Sequence, residues 1–193
     1  MFQHGFPKEL RNDVLKVSNL IPKITYSNIN MGISVESVQY SHDNHLIEFP
    51  YRIYFIDIKD DILNQLSLQQ KMILHCIYTR SCNGYVRQQH LKSLLLMNYS
   101  RWTIPYIVKL CDEYVIEILE MTYDILKDKD NKQIRSFCYG NIDLFSKSHD
   151  RMVSYWNEYY RHKSSHLNKY VGTKLFRECF GYTNSIKKKS SFL

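Results

Sequence analysis

The residues of this chain that could do chemistry fall into three groups: a run of carboxylates, scattered histidines and cysteines, and a basic, aromatic C-terminal quarter. The carboxylates recur at helical spacing, so on one helix they would share a sector of about 60°. Such a cluster could hold two metal ions, but bundles of that kind also need Glu-x-x-His motifs, which the sequence lacks. We therefore predict no metal or other cofactor. We predict that these carboxylates form a solvent-facing acidic stripe, which a basic protein could bind. Its members are Glu113, Glu117, Glu120 and Asp124.

Histidine and cysteine give weaker signals. His42 and His45 lie in a predicted turn, where two imidazoles could bind a metal, but a zinc site needs about four ligands and the others are missing nearby. His75, Cys76 and His90 lie among apolar residues of predicted helices, where a structural role is favoured over catalysis. The motifs GxSxG, GxxxxGK[ST], GxGxxG and HExxH do not occur. We therefore predict that the protein is not an enzyme.

The formal net charge of +7 belongs to the C-terminal quarter alone. Residues 147–193 hold ten Lys and Arg against three acidic residues, whereas residues 1–146 are neutral. Cations that meet phosphates and rings that stack on bases are what binding of single-stranded nucleic acid requires. The candidate cations are Arg151, Arg161, Lys163, Lys169, Lys174 and Arg177, and the rings among them are Tyr155, Trp156, Tyr159, Tyr160, Tyr170 and Phe176.

Three interpretations of this quarter stay open. The rings between residues 155 and 160 fit the spacing of a helix whose apolar side packs into a core, which would leave the cations facing water. The same residues could instead bind nucleic acid or an acidic protein. Core packing is the favoured interpretation.

The elements that must position these residues are mostly helical. Six Gly and four Pro can specify few demanding turns, which favours long helices joined by short loops. Residues 8–21 predict a short amphipathic helix. Apolar alternation between residues 33 and 55, on either side of a turn at 41–44, predicts a β-hairpin with Pro50 at an edge.

From residue 61 onward the pattern is helical. Ser67 is a candidate N-cap for a first helix, and residues 85–97 form a second after a break at 81–84. Residues 102–127 are predicted to form one unbroken helix. Ser148 is a candidate cap for a helix over 149–161, and Gly181 is suited to close a final helix over 169–180.

Two segments echo each other at an offset of 29 residues, Gly84-Tyr85-Val86-Arg87 and Glu113-Tyr114-Val115-Ile116. The first, in NGYVRQQHLKSLL at 83–95, resembles the second helix of a HEAT-type repeat, and IPYIVKLCDEYV at 104–115 resembles a first helix running into its turn. The resemblance covers about residues 68–127. It departs from the family at Ile116, where an Arg is expected, and in showing no break near Asp112. It implies a scaffold with a concave protein-binding face.

The predicted fold class is mainly α: an irregular helical array or HEAT-like bundle with a small N-terminal β-hairpin. We expect residues 1–60 to pack with a helical domain over 61–181, followed by a flexible basic tail over 182–193. Five Cys without a CxxC motif argue against a disulfide framework. The sequence shows neither a signal peptide nor an apolar run of membrane length, so we expect a cytoplasmic protein that does not enter a membrane.

These features together predict a non-catalytic intracellular protein that binds another protein through a helical surface. If the chain is bacterial, one specific form would be an antitoxin or an immunity-type inhibitor. The alternative is a nucleic-acid-binding protein that uses the basic, aromatic C-terminal quarter.

Overall fold

The computed structural model of the chain describes residues 2–26, 31–43 and 45–183. It divides into two compact units, Met1–Thr103 (unit 1) and Ile104–Leu193 (unit 2). Both are mainly helical, and unit 1 also carries a two-stranded antiparallel sheet, which confirms the predicted fold class. The expectation that residues 1–60 pack with a helical domain over 61–181 stays a prediction. Nearly all of the predicted basic tail lies outside the described residues.

The described part of unit 1 contains four α-helices, one hairpin and three short 3₁₀ turns. In chain order its elements are α1 (Arg11–Leu20), β1 (Ser37–His42), β2 (His45–Pro50), α2 (Asp60–Asn64), α3 (Leu68–Tyr78) and α4 (Gly84–Leu96). Helix α3 packs against both α1 and α4, so it lies at the centre of the unit, and eight of its eleven residues are buried.

The predicted hairpin is confirmed. Tyr40 on β1 lies opposite Ile47 on β2, and both face the core together with Phe49 because alternate residues of a strand point to the same side. Asp43 in the turn has φ +46°, a left-handed conformation that Asp adopts more readily than most residues. The apolar alternation continues past the end of β2, but there the chain makes isolated bridges, as at Ile53, instead of a strand.

Side-chain caps set the starts of α3 and α4. The Ser67 hydroxyl accepts a hydrogen bond from the Gln70 amide at 3.3 Å, and the Gln70 side chain accepts one from the Ser67 amide at 3.2 Å. This reciprocal capping box satisfies two amides that a helix start leaves without partners. The predicted cap at Ser67 is therefore confirmed. Asn83 caps α4 in a similar way, accepting from the Tyr85 amide at 3.0 Å.

Unit 2 is helical throughout its described part, and two of its helices continue as π-turns. Its elements are α5 (Ile104–Leu110), α6 (Ile116–Leu126), α7 (Lys132–Gly140), α8 (Ile142–Tyr155) with the π-turn Trp156–Tyr160, a 3₁₀ turn at Leu167–Lys169, and α9 (Val171–Lys174) with the π-turn Leu175–Cys179. Phe145 stacks on Phe176 in the core, with ring centroids 5.4 Å apart. Gly181, with φ +80°, follows the last turn as predicted.

The predicted unbroken helix over residues 102–127 is wrong, because the chain leaves the helix between α5 and α6. At the break the Cys111 amide bonds the Val108 carbonyl, a 3₁₀-type closure. Asp112 then turns inward, where its Oδ2 lies 2.7 Å from Lys109 Nζ and accepts a hydrogen bond from Ser148 Oγ at 2.9 Å. All three side chains are buried. A buried carboxylate needs such partners. Asp112 has them at the point where the chain has left the helix.

The predicted N-cap at Ser148 is also wrong. Helix α8 starts at Ile142, so Ser148 lies in its middle. Its hydroxyl donates to Asp112 instead of capping a helix start. Ser148 thus joins the middle of α8 to the segment after α5. The local sequence pattern does not reveal a contact of this kind.

The buried contact at Asp112 leads to a stability prediction. Replacing Asp112 with Ala removes the carboxylate facing the buried Lys109 ammonium, and we expect unit 2 to lose about 3 kcal/mol of unfolding free energy. The matched control is Asp124→Ala, because the Asp124–Lys127 pair is exposed and its loss should cost much less unfolding free energy. Urea unfolding in a shared Trp102→Phe background would report on unit 2 through Trp156. Equal losses in the two variants would contradict this role of Asp112.

Candidate interaction surface

Of the four residues predicted to form the acidic stripe, three lie exposed on one helix and the fourth is buried. Glu117, Glu120 and Asp124 lie exposed on α6, as predicted. Glu113 does not belong with them, because it lies in the break between α5 and α6 and is only 4% exposed. The stripe of four was predicted on the assumption of one continuous helix, so the break removes its first member.

The predicted basic residues remain at the surface of unit 2. Arg151, Arg161, Lys163, Lys169 and Arg177 are exposed, and Lys174 is half-buried. Two of them are engaged locally: Arg177 pairs with Glu178 at 2.5 Å, and Arg161 donates to Asn157 at 3.1 Å. The six do not form a compact site around one point in the described structure, since they are distributed over α8, the loop that follows it, and α9 with its π-turn.

The six aromatic rings of the C-terminal quarter separate into core and surface. Trp156, Tyr170 and Phe176 are buried, and Trp156 Nε1 donates to the Ser164 carbonyl at 2.9 Å. Tyr155 and Tyr160 are half-buried, and Tyr159 is 50% exposed. Core packing therefore accounts for half of the rings, and the other half lie where a partner could reach them.

The exposed rings are joined by a fourth tyrosine from the break between α5 and α6. Tyr114 is 52% exposed, and its ring centroid lies 6.0 Å from that of Tyr155 and 6.1 Å from that of Tyr159. Tyr159 also contacts Tyr155 at 6.2 Å and Tyr160 at 6.4 Å. The Tyr160 hydroxyl donates to the Tyr114 carbonyl at 2.5 Å. We call this group of four, Tyr114, Tyr155, Tyr159 and Tyr160, the tyrosine surface.

The π-turn at the end of α8 carries two of these rings. Its wider turn, with hydrogen bonds from residue i+5 to residue i, shifts the side chains that follow relative to a continuous α-helix. Tyr159 and Tyr160 lie within this turn. A pattern of 3.6 residues per turn assigns both to a core stripe, so the sequence reasoning missed their exposure. It also missed Tyr114, which it counted among the apolar residues of an unbroken helix.

Charged residues of both signs accompany the tyrosine surface. Burial raises the pKa of Tyr160, and the negative charges of Glu117 and Glu120 raise it further. On α8, Arg151 lies one helical turn before Tyr155, with its guanidinium 3.9 Å from Asp112 Oδ2. Aromatic residues with a charged rim are the usual composition of a protein-binding surface.

In unit 1, His42 and His45, for which the sequence predicts no metal, acquire no group of further ligands among the described residues. His42 and His45 face each other across the hairpin, and the nearest charged contact of His42 is Asp43 at 3.4 Å. Burial lowers the pKa of His42. Both histidines border a cavity of about 410 Å³ that His4 and Phe6 also line. In the part of the chain that the structure describes, no three His, Cys, Asp or Glu side chains are grouped as a metal site would require.

The other candidate chemical site in unit 1 is a chain of three side chains, two buried histidines and a half-buried aspartate. His90 Nε2 lies 2.9 Å from Asp57 Oδ1, and His90 Nδ1 lies 2.8 Å from His75 Nδ1. The Tyr78 ring stacks on His90 at 4.8 Å. The Asp57 pKa is lowered: burial opposes ionisation, but the hydrogen bond and charge of His90 outweigh it.

The Asp57 carboxylate accepts from His90 Nε2–H, and His75 and His90 share one hydrogen bond between their Nδ1 atoms, whose direction depends on the tautomers. His75 Nε2 is buried and has no hydrogen-bond partner among the described residues. Acid–base chemistry at this nitrogen would need a substrate to reach it, and His75 is only 3% exposed. The geometry therefore supports a structural role for this chain of contacts.

A pH dependence of stability follows from His75. Burial, with the nearby charge of His90, lowers its pKa to about 3 from 6.5, so below pH 6.5 the unfolded chain binds a proton that the folded chain does not. The unfolding free energy should therefore fall as the pH drops, by up to about 1.4 kcal/mol per pH unit for this one group. His75→Asn keeps a hydrogen-bonding group toward His90 but cannot be protonated. We expect wild type to lose more stability than the variant between about pH 7.5 and about pH 5, measured by chemical denaturation; parallel profiles would contradict the assignment.

Within the described ranges, no helix has both the length and the apolar composition needed to cross a membrane. Comparison of the chain with models of protein families, with curated proteins and with solved structures finds no match. The resemblance to HEAT-type repeats therefore stays a prediction, and any functional conclusion depends on the residues and their geometry.

Proposed function

We propose that the protein is a non-catalytic module that binds another protein through the tyrosine surface. The observation that carries this proposal is the contact between Tyr114 and Tyr159, two rings that are each about half exposed and pack against one another at 6.1 Å. Tyrosine supplies a large apolar contact area and a hydroxyl while losing little conformational entropy, and it is enriched among the residues that dominate binding energy. Exposed apolar groups that cluster in this way are typical of binding sites.

The charges around the rings favour a protein over a nucleic acid. The negative charges of Glu117 and Glu120 act on Tyr160 and would repel phosphates there, while Arg151 lies one helical turn before Tyr155. A rim of both signs fits a protein surface, which also carries both signs. The ring geometry agrees, because the contacting planes of Tyr114, Tyr155 and Tyr159 are inclined by 32–67°. A base held between two rings would need them parallel.

Nucleic-acid binding is the second candidate, and one observation favours it. Between residues 159 and 177 the chain holds five Lys and Arg and no Asp or Glu. Lys163 and Lys169 are exposed and form no ion pair with another described residue. Phosphates neutralised by such residues would give binding that weakens steeply with salt. This segment lies beside the tyrosine surface in sequence, so the two candidates can be separated by substitution.

A capture experiment tests the leading proposal. Tagged wild type, Tyr159→Ala and Tyr85→Ala would be used to capture partners from the native host, and the captured proteins would be quantified by mass spectrometry. We expect a partner retained by wild type and by Tyr85→Ala, and lost or at least about tenfold reduced with Tyr159→Ala, because truncating a central ring typically costs about 2 kcal/mol of binding. Tyr85 is a matched control, being 83% exposed and located in unit 1.

Nuclease treatment and charge reversal distinguish the second candidate. Capture that survives nuclease and depends on Tyr159 supports protein binding, and a captured toxin would support the antitoxin or immunity-type form of the proposal. Capture that nuclease abolishes and that Lys163→Glu with Lys169→Glu eliminates would support nucleic-acid binding instead. If all three tagged proteins retained the same partners, the tyrosine surface would not be the binding site.

A further inference from the structure

We propose that a cavity in unit 1, between the N-terminal turns of the chain and the β-hairpin, binds a small organic anion with an apolar body. The cavity has a volume of about 410 Å³, which lies within the range of about 300–1,000 Å³ that is usual for small-molecule sites. Its walls come from the 3₁₀ turns Gln3–Gly5 and Lys8–Leu10, from the two residues between these turns, and from the hairpin. The tyrosine surface belongs to unit 2, so binding at this cavity would be a function additional to the proposed one and independent of it.

The inner wall of the cavity is apolar and is held in place by packing. Phe6 and Ile47 are only 4% and 3% exposed, and the rings of Phe6 and Trp102 meet edge to face with their centroids 5.7 Å apart. Leu46 lines the same cavity but is 66% exposed. An apolar ligand body that covered Leu46 would remove apolar surface from water, which is favourable. A preformed apolar wall with a few polar groups around it is the usual composition of a small-molecule site.

Three hydrogen-bond donors without partners surround the same space. His4, Lys8 and His45 line the cavity with exposed side chains, and none of these side chains forms a hydrogen bond or an ion pair with another described residue. An ammonium group only donates, and an imidazole carries at least one N–H in either protonation state. A ligand that satisfies all three must therefore present several acceptor atoms, as a carboxylate, sulfonate or phosphate group does.

Two carboxylates also border the cavity, and their partners decide which charge the ligand carries. Asp43 is already engaged, with Arg101 Nη2 3.1 Å from its Oδ1 and His42 Nε2 3.4 Å from its Oδ2. His42 adds no charge at neutral pH, because burial lowers its pKa. Glu9 is exposed and would oppose an anion, but the adjacent Lys8 equals it in formal charge. An organic anion thus meets an ammonium and two further imidazoles, whereas an organic cation meets a single carboxylate that has no partner among the described residues.

A series of three ligands with one ring system tests the site. Isothermal titration calorimetry of the full chain at neutral pH and low salt would compare 2-naphthoate with the neutral 2-naphthylmethanol and the cationic 2-naphthylmethylammonium. We expect 2-naphthoate to bind with a Kd of about 0.3 mM or tighter. The alcohol should bind at least about threefold more weakly and the ammonium more weakly still, because only the carboxylate can pair with the cavity's cations.

Substitutions at the cavity separate the two parts of the recognition. Lys8→Ala and His45→Ala should each weaken 2-naphthoate by about threefold and leave the alcohol unchanged, whereas Leu46→Ala should weaken all three ligands alike. Glu9→Gln should tighten 2-naphthoate and weaken the ammonium, a gain that a misfolded variant could not produce. Lys16→Ala is the matched control, because Lys16 is exposed on α1, does not line the cavity, and its loss changes the net charge by the same amount as that of Lys8.

Four results would overturn this inference: no binding of 2-naphthoate below about 2 mM, equal affinity for the three ligands, affinities that Lys8→Ala and His45→Ala leave unchanged, and a loss with Lys16→Ala as large as that with Lys8→Ala. Circular dichroism of each variant would show that the fold is intact, and Glu9→Gln decides the matter if another variant fails to fold. None of these results bears on the proposed function, since capture of a partner that depends on Tyr159 is measured separately and at a surface of unit 2.

Discussion

The buried carboxylate of Asp112 is the constraint on which the architecture of unit 2 depends. It lies in the core between the Lys109 ammonium and the Ser148 hydroxyl, at the point where the chain has left helix α5. Removing a charge from water costs several kcal/mol unless partners replace the lost hydration. These contacts accompany the break between α5 and α6, and they attach the end of α5 to the middle of α8.

The break has a direct consequence at the surface. Tyr114, which lies in the break, is half exposed and meets rings that come from α8. At the end of α8, the π-turn Trp156–Tyr160 leaves Tyr159 exposed while Trp156 stays in the core. Turns of this kind occur often at functional sites, because they change the direction of a few side chains without ending the helix. The tyrosine surface is thus a product of two interruptions of regular helix.

Unit 1 contains polar chemistry of a different kind. The Asp57–His90–His75 contacts look like a catalytic relay in their distances, but their terminal nitrogen is enclosed by the protein. The contact between the two imidazoles links α3 to α4 in the core. Burial lowers the pKa of His75, so its contribution to stability depends on pH. These contacts hold unit 1 together, whereas binding of another molecule is proposed for the tyrosine surface.

The sequence by itself determined the elements whose signals are local. The capping box at Ser67, the alternation through Tyr40 and Ile47, and the glycine at position 181 each depend on neighbours within a few residues, so the helix start, the hairpin and the final turn could be predicted. The concentration of positive charge in the C-terminal quarter could likewise be read directly. Only the tertiary structure decided which side chains contact residues far along the chain. Asp112 finds Ser148, which is 36 residues away, and Tyr114 finds Tyr155 and Tyr159. Helical periodicity assumes a regular backbone, so it placed Glu113 in an exposed stripe and Tyr159 in the core. Both assignments were wrong. The chain leaves the helix around Glu113, and the end of α8 widens into the π-turn that contains Tyr159.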